Sequence, residues 1–80
     1  MQEVGEITHF FGHIKVAVVE VKDTINKGDK VTIKGHTTDF EQTISSMQVD
    51  HNEIETAKKG QEIGMKVDDI VRRGDKLFKA

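Results

Sequence analysis

Four histidines, His9, His13, His36 and His51, and the serine pair Ser45 and Ser46 are the side chains of this sequence with an obvious capacity for metal binding or nucleophilic chemistry. His9-x-x-x-His13 has the spacing of a ligand pair on a helix, where both rings leave the same face. Here the pair straddles a predicted β-turn, and across a turn that spacing loses its meaning. The histidines therefore read as polar turn and surface residues, and no metal is expected. Each serine falls in a predicted strand with no sign of an oriented base, so no catalytic residue is assigned. A nucleotide site would need a Gly-x-x-x-x-Gly-Lys-Ser/Thr loop, whose backbone N–H groups and lysine hold phosphates. The interval from Gly5 to Gly12 has the wrong spacing, and no Lys-Ser/Thr follows it. The expectation is a chain that is not an enzyme and takes no nucleotide or cofactor.

Binding is the remaining chemistry. Lys27, Lys30, Lys58, Lys59, Arg72, Arg73 and Lys76 cluster at turns, and cations brought to one end of a barrel would form a patch able to touch phosphates. Asp29, Glu62, Asp68, Asp69 and Asp75 lie close by in sequence, and a solvated surface of mixed sign is the plainer reading. The aromatics are Phe10, Phe11, Phe40 and Phe78. Strand alternation sends Phe10 and Phe11 to opposite faces, which leaves one of them exposed to anchor a partner protein or stack on a base.

The elements that must position these residues are strands. Period-two alternation with β-branched residues recurs in six short runs: 4–10, 14–21, 30–35, 40–49, 63–67 and 76–79. The first two form a predicted hairpin turning at Phe11-Gly12. In the second, the apolar phase moves from Ile14/Val16/Val18 to Val19/Val21, and a β-bulge near Val18-Val19 would absorb the slip. Residues 52–60 contain good helix formers and end at Gly60, enough for a turn or two of helix at most. Residues 25–31 and 71–77 echo one another around Gly28-Asp29-Lys30 and Gly74-Asp75-Lys76, with a looser copy around Lys59-Gly60-Gln61. Each copy precedes a strand, as expected of a turn whose glycine takes positive φ and whose aspartate accepts backbone hydrogen bonds.

The run Ile25-Asn26-Lys27-Gly28-Asp29-Lys30-Val31-Thr32-Ile33-Lys34-Gly35 resembles the "I-x-x-G-D-x-V-x-I-x-G" segment of the barrel domain shared by elongation factor Tu and other translational GTPases. Thr43-Ile44-Ser45-Ser46-Met47, Ala57-Lys58-Lys59-Gly60-Gln61-Glu62-Ile63-Gly64 and Ile70-Val71-Arg72-Arg73-Gly74-Asp75-Lys76-Leu77 follow in that family's order. The resemblance implies an all-β domain folded as a closed, six-stranded Greek-key barrel, with RNA, the ribosome or translation factors as partners. It also lays the segment that holds the end of transfer RNA, of the form Val-Glu-Met-Phe-Arg-Lys, onto residues 47–52. Gln48 then stands at the glutamate, Asp50 at the aromatic and His51 at the arginine, which makes Gln48 and His51 candidate contact residues. Asp50 repels phosphate and His51 replaces a permanent cation, so the match departs where RNA would bind. Similar barrels also occur as the accessory C-terminal domain of a collagenase-like peptidase family, and the alternative expectation is a protein-interaction module for a separately encoded enzyme.

Length and composition agree with one small domain. Eighty residues cannot fill two cores, so residues 1–80 are expected to form a single domain. Without cysteine there is neither a disulfide nor a thiolate site, as in a reducing cytoplasm. The longest apolar run, residues 16–19, is far too short for a membrane span. A formal charge of −2 gives no long-range attraction to a polyanion. The opening Met1 and closing Lys79-Ala80 read as a whole small protein.

Overall fold

The computed structural model describes residues 2–79; Met1 and Ala80, on which the reading as a whole small protein rests, lie outside them. Ten strands form, and no helix is present among the described residues: β1 (Gln2–Phe11), β2 (Val16–Val21), β3 (Ile25–Asn26), β4 (Lys30–Lys34), β5 (Asp39–Thr43), β6 (Met47–Val49), β7 (Asn52–Ile54), β8 (Thr56–Ala57), β9 (Glu62–Lys66) and β10 (Lys76–Lys79). Eight of them make one antiparallel sheet in the order β5-β4-β10-β1-β2-β9-β6-β7, and β3 pairs with β8 as a separate ribbon. The sheet wraps a single core in which Ile7, Ile25, Ile33, Ile44, Met47, Ile63, Met65 and Leu77 are fully buried.

The all-β expectation holds, but no closed six-stranded barrel is found, because the terminal strands β5 and β7 do not pair with each other. Where β5 faces the chain leaving β9, one side chain takes the place of a ladder. The Gln42 amide donates to Lys66 O at 3.0 Å and accepts from the Asp68 N–H at 2.8 Å. A carboxamide carries the same donor and acceptor as a peptide group, so buried Gln42 stitches this seam at one point.

The single strand expected over residues 40–49 is two strands, broken at residues 44–46, and the segment 52–60 supplies β7, β8 and a turn in place of any helix. The β1–β2 turn spans residues 12–15, just beyond the predicted position. The bulge is on the other strand from the one predicted. Ile7 pairs with Val19 and His9 with Val18, so Thr8 of β1 is the inserted residue. β2 keeps strict alternation with Ala17, Val19 and Val21 inward.

The internal echo is a structural repeat. Gly28, Gly60 and Gly74 have φ of 95°, 92° and 93°, the positive value that the third position of a type II turn requires. In each turn the fourth residue's side chain accepts the first residue's N–H: Asp29 from Asn26, Gln61 from Lys58 and Asp75 from Arg72, at 2.7–2.8 Å. Each turn then grips one buried aliphatic residue by two backbone bonds. The glycine N–H donates to the carbonyl of Ile44, Val21 or Ile7, and that residue's N–H donates back to the carbonyl of Asp29, Gln61 or Asp75, at 2.7–2.8 Å. Gln61 does in the second copy what aspartate does in the others, which explains why the echo is looser there.

At Gly60 an added Cβ would meet nothing within 4 Å, so Gly60→Ala isolates the cost of a left-handed residue and should remove about 1–2 kcal/mol in urea unfolding. Gly35 is different: a Cβ there would overlap the buried Asp75 carboxylate. Gly35→Ala and Asp75→Ala should each cost about 1–3 kcal/mol and together less than their sum, since both break the same turn. The Asp29 carboxyl is held below its ordinary value, first by the Asn26 N–H and then by Lys79 at 3.0 Å. Its stabilisation is complete above the ordinary aspartate pKa of about 3.9 and is lost as pH falls through the lower folded value. Asp29→Asn should abolish that acid-range loss in thermal melts below about pH 4.

Candidate functional site

β2 is apolar on both faces. Ala17, Val19 and Val21 fill the core, while Val16 and Val18 point outward and are half-buried. An antiparallel sheet with one solvated face ordinarily alternates apolar with polar residues, so an outward valine row marks a surface meant to be covered. The row continues into the hairpin turn, where Phe11 and Ile14 are 39% and 55% exposed. A bulge near Val18-Val19 would turn Ile14, Val16 and Val18 inward together with Val19 and Val21; Val19 and Val21 do face the core, but Val16 and Val18 face outward and Ile14 is exposed.

Neighbouring strands shape this row into a groove of about 490 Å³. Gly64 of β9 lies opposite Val18 and leaves the floor open; a Cβ there would come within 3.4 Å of Val16 Cγ1. Gln48 of β6 lies opposite Gly64 and lines the far side. Asp50 and His51 close the rim from the β6–β7 connection. Val49 pairs with Asn52, so these two residues form the whole loop, and their φ values of 51° and 66° are those of a type I′ turn. Asp and His are among the non-glycine residues that enter this region most readily. The His9 ring meets Phe11 edge-to-face at a centroid distance of 4.4 Å, which steadies the aromatic wall.

Of the residues singled out in the sequence, Phe11, Gln48 and His51 come together here, although the resemblance that suggested the last two concerned RNA. Phe10 turns inward and packs half-buried against the core. Ile14, Val16, Val18 and Gly64 were missed as site residues. The doubled apolar face of Val16-Ala17-Val18-Val19 was the signal available for them.

The basic turns do not meet. β10 runs antiparallel to β4 and, through β1 and β2, to β9, so the turns bearing Lys27 and Lys58/Lys59 open at one end and the turn bearing Arg72/Arg73 at the other. Several of the cations are also paired. Lys27 lies 2.8 Å from Glu53, Lys30 3.4 Å from Glu41 and Lys76 3.6 Å from Glu3. The hydrogen bond to Glu53, helped by its charge, holds the Lys27 ammonium above its ordinary value. Arg72 Nε donates to Thr37 Oγ1 at 3.0 Å. Among the described residues, no group of three or more His, Asp or Glu side chains is placed to hold a metal.

No family model matches the chain. An uncharacterized protease of Methanocaldococcus jannaschii is 36% identical over 77 residues, covering 95% of this chain but 19% of the protease. The chain therefore spans about a fifth of that relative's length. Two crystal structures of the C-terminal domain of a Geobacillus thermoleovorans putative U32 peptidase, one of them a selenomethionine variant, share the fold. Both have a TM-score of 0.93 over 99% of this chain, at 22% and 21% identity, and cover 100% and 92% of those domains. These findings correct the reading of the chain as a translation-factor-like, RNA-binding domain: the shared fold is that of a peptidase's C-terminal domain, and nothing points to elongation factor Tu.

The exposure of Ile14 has a measurable consequence. Ile14→Ala should change unfolding free energy by about 0.5 kcal/mol or less, as for an exposed residue, whereas Ile7→Ala in the core should cost about 2–5 kcal/mol.

Proposed function

We propose that this chain is a non-catalytic accessory β-domain that docks onto the body of a peptidase through the groove formed by Phe11, Ile14, Val16, Val18 and Gly64. The observation that carries the reading is the outward apolar row on β2, which no element of the chain covers among the described residues. The likeness to a protease over nearly the whole chain, and to the C-terminal domain of a putative U32 peptidase, supplies the partner's class. Apolar contact at the centre with Gln48, Asp50 and His51 at the rim is the composition of a protein interface, not of a site for a charged polymer.

The non-catalytic reading is supported by where the reactive side chains sit. Ser45 and Ser46 lie in the break between β5 and β6, while His9 packs on Phe11 and His51 turns the β6–β7 hairpin. A cysteine-free chain suits a reducing compartment, and we place the domain in the cytoplasm.

A tagged copy of the chain should retain a peptidase polypeptide from its own lysate at high salt and after nuclease treatment. Val18→Lys or Ile14→Lys, each on an exposed or half-buried outward position, should abolish that retention without altering the thermal melt. Retention unchanged by both substitutions, or proteolytic activity of the isolated chain, would overturn the proposal.

A further inference from the structure

The open seam of the sheet has features of a second site, unrelated to the β2 groove. β5 ends the sheet, and its bonding pattern can be read from the hairpin that precedes it. Gly35 and Thr38 exchange both backbone hydrogen bonds, N–H to O at 2.8 Å and 3.4 Å. Alternation along an antiparallel ladder then makes Ile33–Phe40 and Val31–Gln42 the bonded pairs, and Lys34–Asp39 and Thr32–Glu41 the open ones. The N–H and C=O groups of Asp39 and Glu41 consequently point off the edge of the sheet. Neither residue has another backbone partner among the described residues.

What faces that edge is not open solvent. Gln42 ties β5 to Lys66 and Asp68, and beyond that stitch the two sides part into a cleft of about 320 Å³. Thr38, Asp39 and Phe40 line one side, and Asp69, Ile70 and Arg72 the other. Ile70 is 63% exposed at the cleft, while Thr38 is only 6% exposed. Asp39 and Asp69 form no ion pair among the described residues, and Arg72 is engaged by Thr37. The cleft therefore combines a free strand edge, two apolar side chains, Phe40 and Ile70, and an excess of carboxylate.

We infer that this cleft and the β5 edge beside it bind an extended, basic polypeptide segment by strand addition to β5, with its backbone on Asp39 and Glu41 and a lysine or arginine side chain between Asp39 and Asp69. Edge groups two residues apart repeat at about 6.8 Å, so residues i and i+2 of an added strand satisfy both. An apolar side chain of the guest covers Ile70 and Phe40. That the bound segment is a peptidase substrate rests on the accessory role proposed above; peptide capture itself does not.

The test is amide NMR of the isotope-labelled chain, titrated with a synthetic octapeptide alternating valine and lysine, its glutamate counterpart, and a lysine peptide N-methylated on alternate residues. The lysine peptide should shift the Asp39, Glu41 and Ile70 amides and slow hydrogen exchange at Asp39 and Glu41. The glutamate and N-methylated peptides should not. Asp39→Lys and Asp69→Lys should each weaken binding about fivefold while leaving the spectrum dispersed, as expected for a surface charge pair. Ile14→Lys should bind the peptide normally, which separates this site from the β2 groove. Absence of shifts at the β5 edge, equal binding of the N-methylated peptide, or shifts confined to Phe11 and Ile14 would overturn the inference.

Discussion

The reciprocal grip of three turns on three buried residues is the constraint on which this fold depends. In a chain of 80 residues the core is small, and strands as short as two to five residues do not hold register through cross-strand pairs alone. Each glycine turn fixes where a strand begins and ties that point to an aliphatic residue elsewhere in the chain. The turn before β4 holds Ile44, the turn before β9 holds Val21, and the turn before β10 holds Ile7. Positive φ at the glycine and the side-chain acceptor on the fourth residue are both needed, because the first points the glycine N–H at its target and the second satisfies the N–H that the turn would otherwise leave unpaired.

This device is legible in the amino-acid sequence, though its meaning is not. Gly28-Asp29 and Gly74-Asp75 announce turns into strands, and Gly60-Gln61 can be aligned to them. Taken as a family signature, the same residues point to translation factors. They encode a way of starting a strand, and any small β-domain that needs to pin short strands can use it. Motifs that serve backbone geometry carry fold information and little functional information. Gln48 and His51, taken from that resemblance for RNA contact, line the groove for a different reason: Gly64 opposite Gln48 leaves room, and a two-residue turn brings His51 to the rim.

The groove itself is obscured by β2. Val16-Ala17-Val18-Val19 supports alternation in either phase, and sequence alone gives no preference between two apolar faces. The decision is made in space. Opposite Val18 stands a glycine, and Ala17 packs against Met65, so the face with small-against-large complementarity becomes the core and the other becomes surface. The bulge at Thr8 of β1 then keeps both strands in phase, with Ile7 and Phe10 both turned to the core although three residues apart. A bulge on the partner strand leaves no trace in the alternation of β2, which is why a slip sought near Val18-Val19 lies across the ladder instead.

The unclosed seam follows from the same economy. Ile44 must turn inward to be gripped by the turn at Gly28, and that ends β5 after Thr43, too early to complete a ladder with the chain leaving β9. Gln42 recovers one pair of hydrogen bonds with its side chain, and the remainder of the edge carries Asp39 and Glu41, residues that discourage pairing with another copy of the same sheet. An edge guarded by carboxylates is closed to its own kind and open to a strand of opposite charge. The stitch at Gln42 therefore both completes the core and sets the length of edge that remains available.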